Sequence, residues 1–221
     1  MSEVLKYTRS ETARYLEEIG YPINEERIKQ VYPIHFPKRR VLRISGPHAG
    51  ADSVLKVRPL NEEGKGEREL NRLNLLFESY RHCGCKFPEV EEERLEGSGF
   101  IVFKMSYLGP NLGELDNSMD LIRLGYATQD EVAFKGFSKS YAEYLLHNLE
   151  KSHRQFAKEK GYIHGDLFQG HRPNNVVYFE PYDHLFFVDA EALGEVTNAR
   201  RQRFDQQFEL VTNWVLDNLV I

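Results

Sequence analysis

Apolar and polar positions alternate along the chain with two periods, and the changes of period predict where helices and strands fall. Residues 8–20 read as a helix. Ala13, Leu16 and Ile19 share one side with Tyr15 flanking them, Thr8 and Glu11 fit a capping box, and Gly20 fits a stop. A second short helical stretch is expected over 24–30, after the Tyr21-Pro22 break. The period then shortens. Residues 31–36 are expected to form a strand, 37–40 a turn, and 41–45 with 53–58 a hairpin joined by GPHAGAD. Within SVLKV, Lys56 lies between Leu55 and Val57 and so points to the other face of its strand. Helical spacing returns after the loop NEEGKG, where Leu70, Leu73, Leu76 and Phe77 form one stripe.

The acidic run FPEVEEERLE reads as a solvated turn or strand edge, and GFIVFKMSYLGPNLGEL as an apolar strand halted by Gly-Pro. Residues 121–126 are expected to form a short helix. A longer one runs from about 130 or 138 to 159, with Tyr141, Leu145, Leu149 and Phe156 on one side and a basic-then-Gly stop at Gly161. Residues 175–179 and 184–188 are rich in Val, Tyr and Phe and flank Glu180-Pro181-Tyr182-Asp183, which predicts a hairpin. The last segment, 198–221, reads as an amphipathic helix with Phe204, Phe208, Val211 and Val215 inward.

Composition narrows the function classes. The 221 residues are 41% apolar and 29% charged, ordinary values for a globular protein with a real core. A net charge of −5 argues against a generic nucleic-acid binder. The two N-terminal helices could form a helix-turn-helix, yet Glu11, Glu17, Glu18, Glu25 and Glu26 carry the wrong sign for phosphate. No run of eighteen apolar residues and no apolar signal-peptide core occur, so a cytoplasmic location without a membrane segment is expected. Delivery by a specialised secretion system would leave no such mark. Cys83 and Cys85, even with His82, are too few for a structural zinc site and read as reduced thiols.

Candidate chemistry concentrates between residues 162 and 193. Asp166 stands before the hairpin, with His164 two residues upstream, and Asp189 follows it. A hairpin bracketed by carboxylates can bring both to one edge, where Asn174 or Asn175 would complete the oxygen ligands that Mg²⁺ prefers. This order resembles the catalytic core of the protein-kinase-like superfamily: His164-Gly165-Asp166-Leu167, Arg172-Pro173-Asn174-Asn175, a hairpin, then Asp189. The wording HGDL is shared with aminoglycoside and choline kinases and with the compact kinase of tRNA threonylcarbamoylation. The family's Asn follows its Asp by five residues. Here that place holds His171, so either residues 168–171 are an insertion and Asn175 is the ligand, or His171 takes its place.

The resemblance implies a role for each matching residue. Asp166 would be the catalytic base, Arg172 a cation near the γ-phosphate, and Asn175 with Asp189 the metal ligands. Lys56 would hold the α- and β-phosphates, paired with Glu69 of the following helix, Glu67 being a weaker candidate. Met105, Ser106 and Leu108 would border the adenine, in a Leu-Gly-Pro-x-Leu hinge close to that of casein kinase one. Asp205 would anchor the catalytic loop. An ordinary strand lysine, a solvated Glu69 and a surface Asp205 are the plain alternatives. The implied architecture is α+β and bilobal: a β-rich N-lobe with a helical extension over 1–107, and a reduced, mainly helical C-lobe over 108–221. The implied activity is ATP- and Mg-dependent phosphotransfer, first to Ser or Thr of a protein. A small-molecule hydroxyl is the rival acceptor, favoured by HGDL and by Asp189-Ala190-Glu191, and a pseudokinase binding module is the third reading.

Two departures qualify it. No G-x-G-x-x-G precedes Lys56, and residues 35–40 would stand in the phosphate loop's place, with Lys38, Arg39 and Arg40 supplying charge in a less directed way. Asp205 follows Asp189 by only sixteen positions, too few for an activation segment with its Ala-Pro-Glu motif.

Overall fold

The computed structural model describes residues 6–32, 38–46, 52–59, 71–78, 90–95, 98–124, 134–168, 171–188 and 192–221. They form a mixed α and β protein whose chain divides into two compact units, residues 1–74 with 86–107 and residues 75–85 with 108–221.

The first unit is built on a five-stranded antiparallel sheet in the order β1-β2-β3-β5-β4. Its strands are β1 (Ile28–Val31), β2 (Arg40–Ile44), β3 (Ser53–Pro59), β4 (Glu91–Leu95) and β5 (Phe100–Ser106). Helix α1 (Arg9–Glu18) opens with the expected box, Thr8 and Glu11 each accepting the other's backbone N–H, and Gly20 beyond it adopts φ +86°. Leu16 and Ile19 pack with Ile28, Leu42, Ile44, Leu55, Val57, Leu95 and Val102, so the helix covers one face of the sheet. The acidic stretch forms β4, the sheet's edge, as its composition predicts.

Two expectations change here. Residues 24–30 do not continue as a helix: Asn24 Oδ1 accepts from Glu26 N–H and closes a single 3₁₀ turn, Glu25–Arg27. Ile28 then turns fully inward opposite Ile44, because sheet burial outweighs the helical tendency of an isolated acidic turn. Arg40 does not extend towards a phosphate either. Its guanidinium lies 3.6 Å from the Tyr7 ring and 4.1 Å from the Tyr15 ring, buried beside α1. Arg39 is buried as well, so of the three cations only Lys38 is exposed.

A helix over 71–78, labelled α2, follows, with Leu73, Leu76 and Phe77 buried. The second unit contains α3 (Leu112–Arg123), α4 (Lys139–Lys160) and α5 (Asn198–Asn218). It also holds two antiparallel ladders, β6 (Tyr162–His164) with β9 (Leu193–Glu195) and β7 (Val176–Phe179) with β8 (His184–Phe187). Its core joins Leu112, Leu115 and Met119 of α3, Leu145 and Leu149 of α4, and Phe204, Phe208, Val211 and Val215 of α5 around Phe187. Helix α3 is longer than the short helix expected at 121–126 and starts earlier. Asn111 Oδ1 accepts from Glu114 N–H and Glu114 Oε2 from Asn111 N–H, both at 2.9 Å, a reciprocal cap immediately after the Gly-Pro break.

Candidate functional site

Asp166 is held from both sides by its neighbours' backbones. Helix α4 starts at the Ser138 cap and stops at Gly161, which takes the left-handed conformation (φ 75°) and so turns the chain directly into β6. Strand β6 pairs with β9, Ile163 lying opposite Gly194. The N–H of His164 then donates to His153 Nε2 on α4 at 3.0 Å, that of Gly165 to the Ala192 carbonyl at 2.9 Å, and that of Leu167 to Gln207 Oε1 on α5 at 2.7 Å. Backbone donors on both sides of position 166 are thus spoken for, while Asp166 itself is exposed. A carboxylate on so tethered a backbone is positioned before any ligand arrives.

The hairpin brings Asn175 to this loop. Asn175 Nδ2 donates to the Asp166 carbonyl at 2.9 Å, and Val188 N–H donates to the Asn175 carbonyl at 3.1 Å. His171, the other residue weighed for the ligand position, lies on an exposed turn. Committing Nδ2 to the Asp166 backbone carbonyl leaves Asn175 Oδ1 as a hard oxygen, the donor type that suits Mg²⁺. Among the described residues no three His, Cys, Asp or Glu side chains gather as a metal cluster. Asp189 lies outside the described residues, as do Glu69, Glu67, His82, Cys83 and Cys85.

Arg172 is turned to α3. Its guanidinium donates to the Gly113 carbonyl at 3.3 Å and to Asn117 Oδ1, and it pairs with Asp116 at 3.3 Å and Asp120 at 3.4 Å. Gly113 lies so close beneath Asn174 that a Cβ there would overlap Asn174 Oδ1. The segment 172–175 is therefore clamped onto the first turns of α3.

Asp205 is not the loop's anchor. It is half-exposed and pairs with Arg154 of α4 at 2.7 Å. The anchoring falls to Gln207, two residues on. An amide oxygen accepts a backbone N–H as a carboxylate does, but a search for an acid passes over it. His153 is the other site residue that reading the sequence missed. Fully buried among Phe156, Phe187 and Phe204, it looks in sequence like any polar residue of an amphipathic helix.

In the first unit, Lys56 is 9% exposed, not a strand lysine facing solvent. It pairs across the sheet with Val41 and Phe103, and Met105 pairs with Val54. Strand alternation therefore sets Lys56 and Met105 on one face, opposite the Leu55 and Val57 face that α1 covers. Ser106 pairs with Ser53, and Tyr107 N–H donates to the Asp52 carbonyl at 2.9 Å. Leu108 is buried and begins the second unit. Among the described residues no helix is long and apolar enough to cross a membrane. Compared with known proteins, the chain matches no family model, and no curated protein matches it either.

Proposed function

We propose that the chain is an ATP- and Mg-dependent phosphotransferase of the kinase-like superfamily that passes the γ-phosphoryl group to a Ser or Thr hydroxyl of a protein. The observation that carries this reading is the 2.9 Å bond from Asn175 Nδ2 to the Asp166 carbonyl. It joins two residues nine apart that the kinase-like match, read with its four-residue insertion, pairs. A buried lysine on the third strand of an antiparallel sheet, sharing a face with Met105, is the second support.

Asp166 accepts the hydroxyl proton as the acceptor oxygen bonds to the γ-phosphorus. The bond from that phosphorus to the β-phosphate's bridging oxygen breaks, and ADP leaves with the electron pair. The chemistry supplied with Mg²⁺ is neutralisation of the charge shared by the transferring oxygens. Lys56 holds the α- and β-phosphates, with Glu69 as its partner, and Asn175 and Asp189 offer the oxygen ligands. Met105, Ser106 and Leu108 border the base. Arg172 has its charge met by Asp116 and Asp120, so it positions the Pro173-Asn174-Asn175 segment.

A melting experiment with Mg-ATP, followed by transfer from γ-labelled ATP, tests the proposal. Mg-ATP should raise the melting temperature, and chelating the metal should cancel the rise. Asp166→Ala should keep that rise while lowering transfer by at least about 100-fold, the usual contribution of a general base. Lys56→Met and Asp189→Asn should lose the metal-dependent rise itself. Transfer to an aminoglycoside or choline but to no polypeptide would replace the acceptor class with a small molecule. Stabilisation without transfer to any acceptor would leave a nucleotide-binding module.

A further inference from the structure

Helix α5 begins Asn198-Ala199-Arg200-Arg201-Gln202-Arg203, and all three arginines are exposed. No ion pair engages any of them among the described residues, although the chain as a whole is acidic. Two acids close to them in sequence do not neutralise them. Asp205 is taken by Arg154, and Glu195 on β9 forms no ion pair with them.

Arg200 is also held in place. Its guanidinium lies over the backbone of Gly194, where a Cβ would overlap the guanidinium carbon and stand 2.6 Å from Nη2. It reaches Gly165 as well, with Nη1 3.3 Å from where a Cβ would be. Gly194 is the β9 partner of Ile163, and Gly165 is the residue before Asp166. Two positions without side chains therefore seat a cation against the turn that carries the candidate base. Its fork of donors suits a carboxylate, and it is held in place before any acceptor arrives.

We infer that Arg200, supported by Arg201 and Arg203, selects acceptors bearing a carboxylate side chain near the accepting hydroxyl. The occupant is an acidic stretch of a polypeptide, and the inference rests on the phosphotransferase reading above. Charge complementarity carries it: three exposed guanidiniums with no ion pair among the described residues, on an acidic protein, attract acidic segments and repel basic ones.

The test uses the full chain, Mg-ATP and synthetic peptides with one serine flanked by Asp and Glu, by Ala and Gly, or by Lys. The acidic peptide should be phosphorylated with a kcat/KM about 10-fold above the neutral one, mostly through KM, and the preference should shrink at high salt. Arg200→Gln should reduce the acidic-to-neutral ratio about 10-fold, and Arg200→Lys should reduce it less. Gly194→Ala provides a second variant that keeps the charge and displaces it. No positive φ forbids alanine there, and the obstructing atoms belong to the end of a flexible side chain. It should lower the same ratio. Equal rates on acidic and neutral peptides, or a ratio unmoved by Arg200→Gln, would overturn this inference alone. If no peptide is phosphorylated and Mg-ATP gives no rise in melting temperature, the phosphotransferase reading falls and takes the inference with it.

Discussion

At the scale of single residues, His153 carries a physical consequence that can be measured. Its Nε2 accepts the His164 N–H, so the neutral ring holds its proton on Nδ1, which has no hydrogen-bond partner among the described residues. Burial first, then the nearby His164 and Arg154, hold its pKa well below the ordinary 6.5. Between the two values the unfolded chain binds a proton that the folded chain refuses. The stabilisation is thus complete above pH 6.5 and declines as the pH falls below it, by up to about 1.4 kcal/mol per pH unit for one proton. Denaturant unfolding from pH 8 to pH 5 should show this decline in the native chain and a shallower one in His153→Gln. Parallel pH slopes for the two proteins would rule it out. The approach of Asn175 to Asp166 was legible in the sequence because residue type and spacing point to it. His153 and Gln207 were not, since what they do depends on which backbone N–H the fold brings to them. Arg40 misleads for the same reason: its charge is visible in the sequence, but the two tyrosine rings that claim it are not adjacent to it there.

Among the elements, those read correctly combine a clear period with matching ends. The Thr8 box and Gly20 delimit α1, Gly161 ends α4, and Asp183, in the left-handed region at φ 50°, turns the chain from β7 to β8. Helix α3 was placed too late because Gly, Asn, Ser and Asp dilute the apolar spacing of its first turns and Gly109-Pro110 reads as a break. Its signal was nonetheless present in Asn111-x-x-Glu114. This cap supports more than its own helix. Asn111 bridges Val177, and the Pro110 carbonyl accepts the Tyr178 N–H at 3.0 Å, so the start of α3 also fixes the first strand of the hairpin. Asn111→Ala should cost about 1 kcal/mol, which in a chain of this size lowers the melting temperature by about 2–4 °C. Asn111→Asp keeps an acceptor for Glu114 N–H and should recover most of that loss. Equal losses in both variants would mean that the cap's hydrogen bond is not what Asn111 contributes.

For the whole molecule, the proposed reaction makes a demand that neither compact unit can meet alone. Lys56 belongs to the first unit and Asp166 with Asn175 to the second, and the proposal gives each set its own part of the reaction. Each set is rigidly mounted within its own unit. Lys56 is buried in a sheet whose other face α1 covers, and Asp166 stands between backbone groups tied to α4, Ala192 and α5. A ligand that binds only the folded chain stabilises it by RT ln(1 + [L]/Kd), about 2.7 kcal/mol at a hundredfold excess over Kd. Amides that exchange only through unfolding of the parts that hold the ligand should then slow by about 100-fold. With Mg-ATP, hydrogen exchange should slow together at the β3 amides around Lys56 and at those of 163–167, and both effects should vanish when the metal is chelated. Protection confined to the β3 sheet would describe a nucleotide held without the candidate base. Protection confined to 163–167 would remove Lys56 from phosphate binding, and with it the reason to read that buried lysine as anything but part of the sheet.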